Sequence, residues 1–124
     1  MKVDTVRGIG VDIEEVARFK KVMKNMVFLK RVFTKDEISY CRRFAAPEQH
    51  LAARFAAKEA TIKALGDIGK GLGLNEIEIL NRRGRAPVVN MRNKRLKKLS
   101  YFISLSHSDD KAIAFSVVIG KIKI

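Results

Sequence analysis

Glu59 stands between two lysines in the run Arg54-Phe55-Ala56-Ala57-Lys58-Glu59-Ala60-Thr61-Ile62-Lys63, a glutamate set into an alanine-rich helical stretch. Leu51, Ala52, Phe55, Ala56, Ala60 and Ile62 form a stripe at helical spacing, and Glu59 falls on or beside it. A carboxylate there requires a cation or a donor, because taking an unpaired charge out of water is costly. Lys63 follows one turn later, placed to pair with Glu59 or to reach a ligand that Glu59 holds. An ordinary helical ion pair accounts for these two residues equally well, so a site needs a second acid.

Residues 6–13 offer one. Ile9, Val11 and Ile13 alternate with Gly8, Gly10 and Asp12, which predicts a strand with one face stripped of side chains around a single aspartate. Such a face marks the close approach of a ligand or of another backbone. The competing reading packs it against a helix, with Asp12 capping the helix that follows. Asp12 and Glu59, if they converge, suit Mg²⁺, which takes one or two carboxylates and completes its shell with water and phosphate oxygens. Lys58 and Lys63 would then offset charge on a phosphoryl group in transfer. His107, at a strand end beside a polar turn, is a residue type that can relay protons, although a lone histidine also serves structure.

These residues must be positioned by a mixed set of elements. A short helix is predicted over residues 14–24. Thr34-Lys35-Asp36-Glu37 has the pattern of a capping box and opens a second helix through about residue 43. Pro47 suits the first turn of the long helix that carries Glu59, and Gly66 its stop. The loop at 66–73 holds four glycines and Lys70, consistent with backbone approach to phosphate but without a P-loop pattern. Strands follow at 75–80 and 88–91, a short basic helix at 93–99, and a hairpin whose strands alternate on either side of Ser108-Asp109-Asp110. The order β-α-α-α-β-β-α-β-β predicts an α+β domain with a largely antiparallel sheet.

At 124 residues the chain is read as a single domain, 1–124. The longest apolar run, 114–119, is too short to span a bilayer, and the amino terminus carries no signal-peptide apolar core, so no membrane role is expected. The single cysteine, Cys41, rules out an intramolecular disulfide and suits a reducing cytoplasm. One cysteine and two histidines leave little for a zinc cage. The net charge of +13 predicts an anionic partner. A small basic nucleic-acid-binding protein is the rival reading, disfavoured because interleaved aromatics and zinc-finger spacing are lacking and because Asp12 and Glu59 would have no task.

Three motifs resemble those of the 4′-phosphopantetheinyl transferases: Gly8-Ile9-Gly10-Val11-Asp12-Ile13 followed by Arg18; Phe55-Ala56-Ala57-Lys58-Glu59-Ala60-Thr61-Ile62-Lys63; and Ile103-Ser104-Leu105-Ser106-His107-Ser108 followed by Ala112 and Ala114. Length and motif order are similar to the small holo-[acyl-carrier-protein] synthase branch. The resemblance implies that branch's fold, an antiparallel sheet packed on a long helix, and its reaction. That reaction moves 4′-phosphopantetheine from coenzyme A to a serine of apo-acyl carrier protein, a cytoplasmic step in fatty acid biosynthesis, and releases adenosine 3′,5′-bisphosphate.

By the same resemblance, Asp12 and Glu59 ligate Mg²⁺ against the coenzyme's pyrophosphate, and Lys63 assists the leaving group. Lys58, Gly66, Gly69 and His107 line the coenzyme site, as does Pro87 in the turn Gly84-Arg85-Ala86-Pro87, which is one residue longer than the family's. A magnesium-bound water, Glu59 and His107 are the candidate bases. Arg18, with Lys20, Lys21 and Lys24, resembles the family's docking helix for the acidic carrier, with Phe19 and Met23 as its apolar anchors. Small members assemble as homotrimers with active sites between subunits. The run at 92–98 is more basic than this chemistry requires.

Overall fold

The computed structural model describes residues 1–82 and 85–124. The chain opens with a long strand, β1 (Lys2–Glu15), followed by three short helices: α1 (Val16–Val22), α2 (Met26–Val32) and α3 (Lys35–Cys41). The long helix α4 (Pro47–Leu65) leads through 3-10 turns at Gly66–Gly69 and Leu74–Glu76 into β2 (Ile77–Leu80) and β3 (Val88–Met91). A further 3-10 turn, Lys94–Leu96, precedes β4 (Ser100–His107) and β5 (Lys111–Lys123). Strands β1, β5 and β4 form one antiparallel sheet in that order, and β2 pairs antiparallel with β3 apart from it. The fold is therefore the expected α+β arrangement of an antiparallel sheet on a long helix.

Helix α2 is absent from the expected order. It is seven residues long, too short for a clear apolar period, and its signal is Asn25, whose side chain accepts from the Phe28 N–H at 3.1 Å as an N-cap. The predicted capping box is present: Thr34 Oγ1 accepts from the Glu37 N–H and Glu37 Oε1 accepts from the Thr34 N–H. The basic helix expected at 93–99 is only the 3-10 turn.

The bare face of β1 lies against α4. A Cβ added to Gly8 would fall 1.9 Å from the Ala64 carbonyl oxygen, and one on Gly10 the same distance from that of Ala60. Strand and helix thus touch backbone to backbone, and the glycines are there because no side chain fits. On β5 the same inner face is made of Ala112, Ala114, Ser116, Val118 and Gly120, all buried. Ser116 Oγ meets Thr61 Oγ1 at 3.0 Å, joining sheet to helix by a polar contact.

Helix α4 is buried on nearly every side from Leu51 to Lys58, not along one stripe. The sheet covers one flank, while Phe19, Leu29, Val32 and Phe33 from the short helices and Ile77 and Ile79 from β2 pack around the rest. The outer face of the sheet is bare of such cover. Ile9, Val11, Ile13, Phe102, Ile113 and Phe115 project from it, with Ile9 62% and Phe102 59% exposed.

Candidate active site

Asp12 lies on the inner face of β1, opposite Ala114 of β5. Lys63, in the last turn of α4, donates to Asp12 Oδ1 at 3.2 Å and to the Val11 carbonyl at 3.0 Å. The second oxygen, Asp12 Oδ2, is buried and has no hydrogen-bond partner among the described residues. Glu59, one turn back from Lys63, is half-buried. Burial pushes its carboxyl above the usual range, the Asp12 charge adds to this, and Lys63 and Arg18 oppose it. The two acids chosen from the sequence therefore share one electrostatic neighbourhood, with Lys63 bonded to Asp12 and its charge felt at Glu59.

Glu14 is a third member that sequence reasoning assigned only to the start of a helix. It is the last inward residue of β1, and burial pushes its carboxyl up to about 7, reinforced by contact with Asp12 and by the charge of Glu59. Arg18 Nη1 donates to Glu14 Oε1 at 3.2 Å, and the guanidinium lies 5.6 Å from the Phe55 ring centroid and 5.8 Å from that of Phe19. The alternation that put Asp12 on the inner face also puts Glu14 there, two residues on.

A hard divalent cation fits this donor set. An orphaned carboxylate oxygen and two carboxyls pushed up by burial and by the neighbouring acid charges are what a dication relieves, and Mg²⁺ needs few protein ligands. Among the described residues no group of three or more His, Cys, Asp and Glu is placed to hold a metal ion by itself, so an ion here would depend on water and substrate oxygens for the rest of its shell.

Lys58 does not belong to the site. Its side chain is fully buried, and its ammonium donates to Glu37 Oε1 at 2.8 Å, to the Ile77 carbonyl at 2.7 Å and to the Leu74 carbonyl at 3.0 Å. All three N–H donors are used, so none is left for a phosphate. Phe19 is likewise no docking anchor: it is wholly buried and packs on Phe55 at 5.3 Å between ring centroids. Met23 is half-buried against the same cluster, whereas Arg18, Lys21 and Lys24 are exposed as expected.

Gly66 caps α4 with φ +60° and is exposed, so it presents backbone outward in a conformation that favours glycine. Gly69 is buried against Leu65 and presents nothing outward. Pro87 is half-buried just before β3, and the turn that it closes runs through Arg83 and Gly84, which lie outside the described residues.

His107 ends β4 and is exposed, but the chain does not bring it to the acids. It pairs with Ala112 of β5, which pairs on its other side with Glu14, so a whole strand separates the two, roughly 10 Å of backbone. Its neighbours were not foreseen. The His50 ring lies 5.1 Å from it, edge to face, and stacks on Phe44 at 3.7 Å. Burial, with the charges of His107 and Arg54, pushes His50 down to about 4. Arg54 is buried beneath, bonded to the Asn81 side chain and the His50 carbonyl and lying over the Tyr40 ring, and it has no carboxylate in ion-pair contact among the described residues. Its signal was available, since Arg54 opens the same motif as Glu59, but its burial depends on contacts made far along the chain.

Residues 8–116 match the family described as the 4′-phosphopantetheinyl transferase superfamily. The holo-[acyl-carrier-protein] synthase of Thermodesulfovibrio yellowstonii is 46% identical over 91% of this chain and 98% of its own length. That of Clostridium tetani is 37% identical over 94% of this chain and 98% of its own. Among solved structures, a holo-(acyl-carrier-protein) synthase from Bacillus anthracis in complex with CoA (3′,5′-ADP) superposes with a TM-score of 0.79 at 31% identity, covering 93% of this chain and 97% of that one. The Helicobacter pylori synthase in complex with coenzyme A gives 0.77 at 35% identity, covering 89% and 98%. With Asp12, Glu59 and Lys63 gathered on a fold shared along almost the whole of both chains, this chain belongs to the 4′-phosphopantetheinyl transferase superfamily.

Proposed function

We propose that the protein acts as a holo-[acyl-carrier-protein] synthase, moving 4′-phosphopantetheine from coenzyme A to a serine hydroxyl of apo-acyl carrier protein in the cytoplasm. The observation that carries this reading is the meeting of Asp12, Glu59 and Lys63, from two distant motifs, around a carboxylate oxygen that has no hydrogen-bond partner among the described residues. Asp12 and Glu59 would hold Mg²⁺, which supplies charge neutralisation at the coenzyme's pyrophosphate when bound. Lys63 Nζ, already on Asp12 and more than half exposed, swings to the phosphate oxygens and offsets charge as the P–O bond to adenosine 3′,5′-bisphosphate breaks. The serine oxygen forms the new bond to the β-phosphorus. Its proton goes to the Glu59 carboxylate, whose burial raises its basicity.

Arg18, Lys21 and Lys24 present the basic face on which an acidic carrier docks, and a charge of +13 speeds that encounter. The bare outer sheet face favours a second copy as its cover, since an apolar patch of this extent on a soluble chain marks an interface. A homotrimer is the assembly we infer. It gives His107, remote from the acids of its own chain, a route to those of a neighbour.

Incubation with coenzyme A, Mg²⁺ and apo-acyl carrier protein should add one phosphopantetheine to the carrier by mass spectrometry, and no mass gain under varied metal and carrier conditions rejects the reading. Mixing inactive Asp12→Ala and His107→Ala chains should restore part of the activity if the site is shared between subunits. A monomer by sedimentation would remove the trimer.

A further inference from the structure

A cleft of about 770 Å³ lies between α2 and α3, and neither Asp12, Glu14, Glu59, Lys63 nor His107 lines it. Its floor is apolar: Met26 at the start of α2, Phe33 at its end and Ile38 in α3. Four cations surround that floor, Lys30, Lys35, Arg42 and Arg92, all of them exposed. Among the described residues none of the four has a carboxylate at ion-pair distance. Glu78, whose charge is felt from Arg92, is already engaged by the Thr34 hydroxyl at 2.5 Å and the Asn90 amide at 3.0 Å. The guanidinium of Arg42 lies on the Met26 sulfur at 3.3 Å, so one cation already borders the apolar floor.

The shape and chemistry select the occupant. A concave volume of this size lies in the usual range for small-molecule sites, about 300–1,000 Å³, whereas a protein partner needs a broader and flatter surface. No exposed aromatic face is offered for stacking a base, since Phe33 is 1% exposed and the other floor residues are aliphatic. Methionine adapts to a flexible apolar chain, and arginine forks match a carboxylate. We propose that this cleft binds a single-chain amphiphilic anion, a long-chain fatty-acid carboxylate, with its chain on Met26 and Ile38 and its head group among Lys30, Lys35, Arg42 and Arg92. Binding here is separate from the transfer chemistry and does not rest on that reading.

The test is calorimetric titration of the full chain with dodecanoate below its micelle concentration, read without turnover. One saturable site per chain is expected, with butyrate and dodecylammonium each at least about tenfold weaker, because the first lacks the chain and the second the charge. The double variant Lys30→Glu, Arg92→Glu should weaken dodecanoate by about tenfold or more. The double variant Lys97→Glu, Lys98→Glu makes the same change in net charge on an exposed turn that does not line the cleft and should leave binding within about twofold. All four residues are exposed, so neither variant endangers the fold. Equal loss in both doubles would mean diffuse attraction to a basic protein and would overturn the proposal. So would displacement of dodecanoate by an acidic peptide, tighter binding of dodecyl phosphate, or no saturable binding.

Discussion

Lys63 and Asp12, 51 residues apart in the chain, meet at 3.2 Å, and the same ammonium reaches the Val11 carbonyl at 3.0 Å. The lysine thus holds the place of a cation at the aspartate while remaining 55% exposed by side chain, free to exchange partners. Replacing it with methionine removes a competitor for Asp12 as well as a donor to phosphate. Lys63→Met should bind Mg²⁺ at least as tightly as the parent by calorimetry while turnover falls by about 10²–10³, the usual loss for one electrostatic donor. Loss of ion binding along with turnover would place Lys63 in the metal site itself.

Glu14 gives the metal-free protein a pH dependence whose sign is fixed. Its folded carboxyl, pushed up to about 7 from an ordinary 4.5, holds a proton that the unfolded chain has released. The stability it contributes is full below the unfolded value and is lost as pH rises through the folded one. His50, pushed down to about 4, acts oppositely: its contribution is present above its ordinary 6.5 and is lost as pH falls toward 4. The two overlap, so the Glu14 contribution is read as the difference in melting temperature between the parent and Glu14→Gln across pH 4.5–7. The parent should lose ground to the variant as pH rises, and added Mg²⁺, which favours the ionised acids, should shrink that gap.

The contact of β1 with α4 leaves no room for a methyl group. Gly10→Ala would place a Cβ 1.9 Å from the Ala60 carbonyl oxygen, backbone that cannot swing aside. Overpacking of this kind costs about 1–3 kcal/mol or forces the strand off the helix. Because Asp12 follows two residues later, turnover should fall by more than the change in denaturation midpoint explains. Ile9→Ala, on the exposed outer face of the same strand, should leave the fold of the single chain intact.

What the sequence disclosed and what it hid follow from the range of the forces involved. The glycine face of β1, the capping box at Thr34, the alternating hairpin of the last two strands and the Asp12–Glu59–Lys63 grouping all rest on local spacing or a motif, and all are present. Phe19 was misplaced because a helix of seven residues exposes too little pattern to show which flank faces inward. Glu14 was passed over because a second acid two residues after Asp12 looks like the polar start of a helix until the strand is seen to continue through Glu15. The Arg54 environment depends on Tyr40 and Asn81 from other elements, which no spacing in its own helix reveals.

Lys58 is the sharpest case, because a lysine beside Glu59 invites a role at phosphate. Helical rotation decides otherwise: adjacent residues point about 100° apart, so the turn that aims Glu59 at Asp12 aims Lys58 into the packing between α4, α3 and β2. There its ammonium meets Glu37 at 2.8 Å, and Glu37 in turn accepts from the N–H groups of Thr34 and Ile79, each at 2.8 Å. Burial lowers the lysine's affinity for its proton, and the Glu37 charge and hydrogen bond oppose this without cancelling it. Lys58→Met should therefore strand the Glu37 charge and two backbone carbonyls, costing about 3–5 kcal/mol in chemical denaturation. Whatever fraction stays folded should keep the parent's KM for coenzyme A. Lys63→Met should do the reverse, melting near the parent but turning over poorly. A Lys58→Met protein of normal stability with a raised KM would return this lysine to the phosphate site.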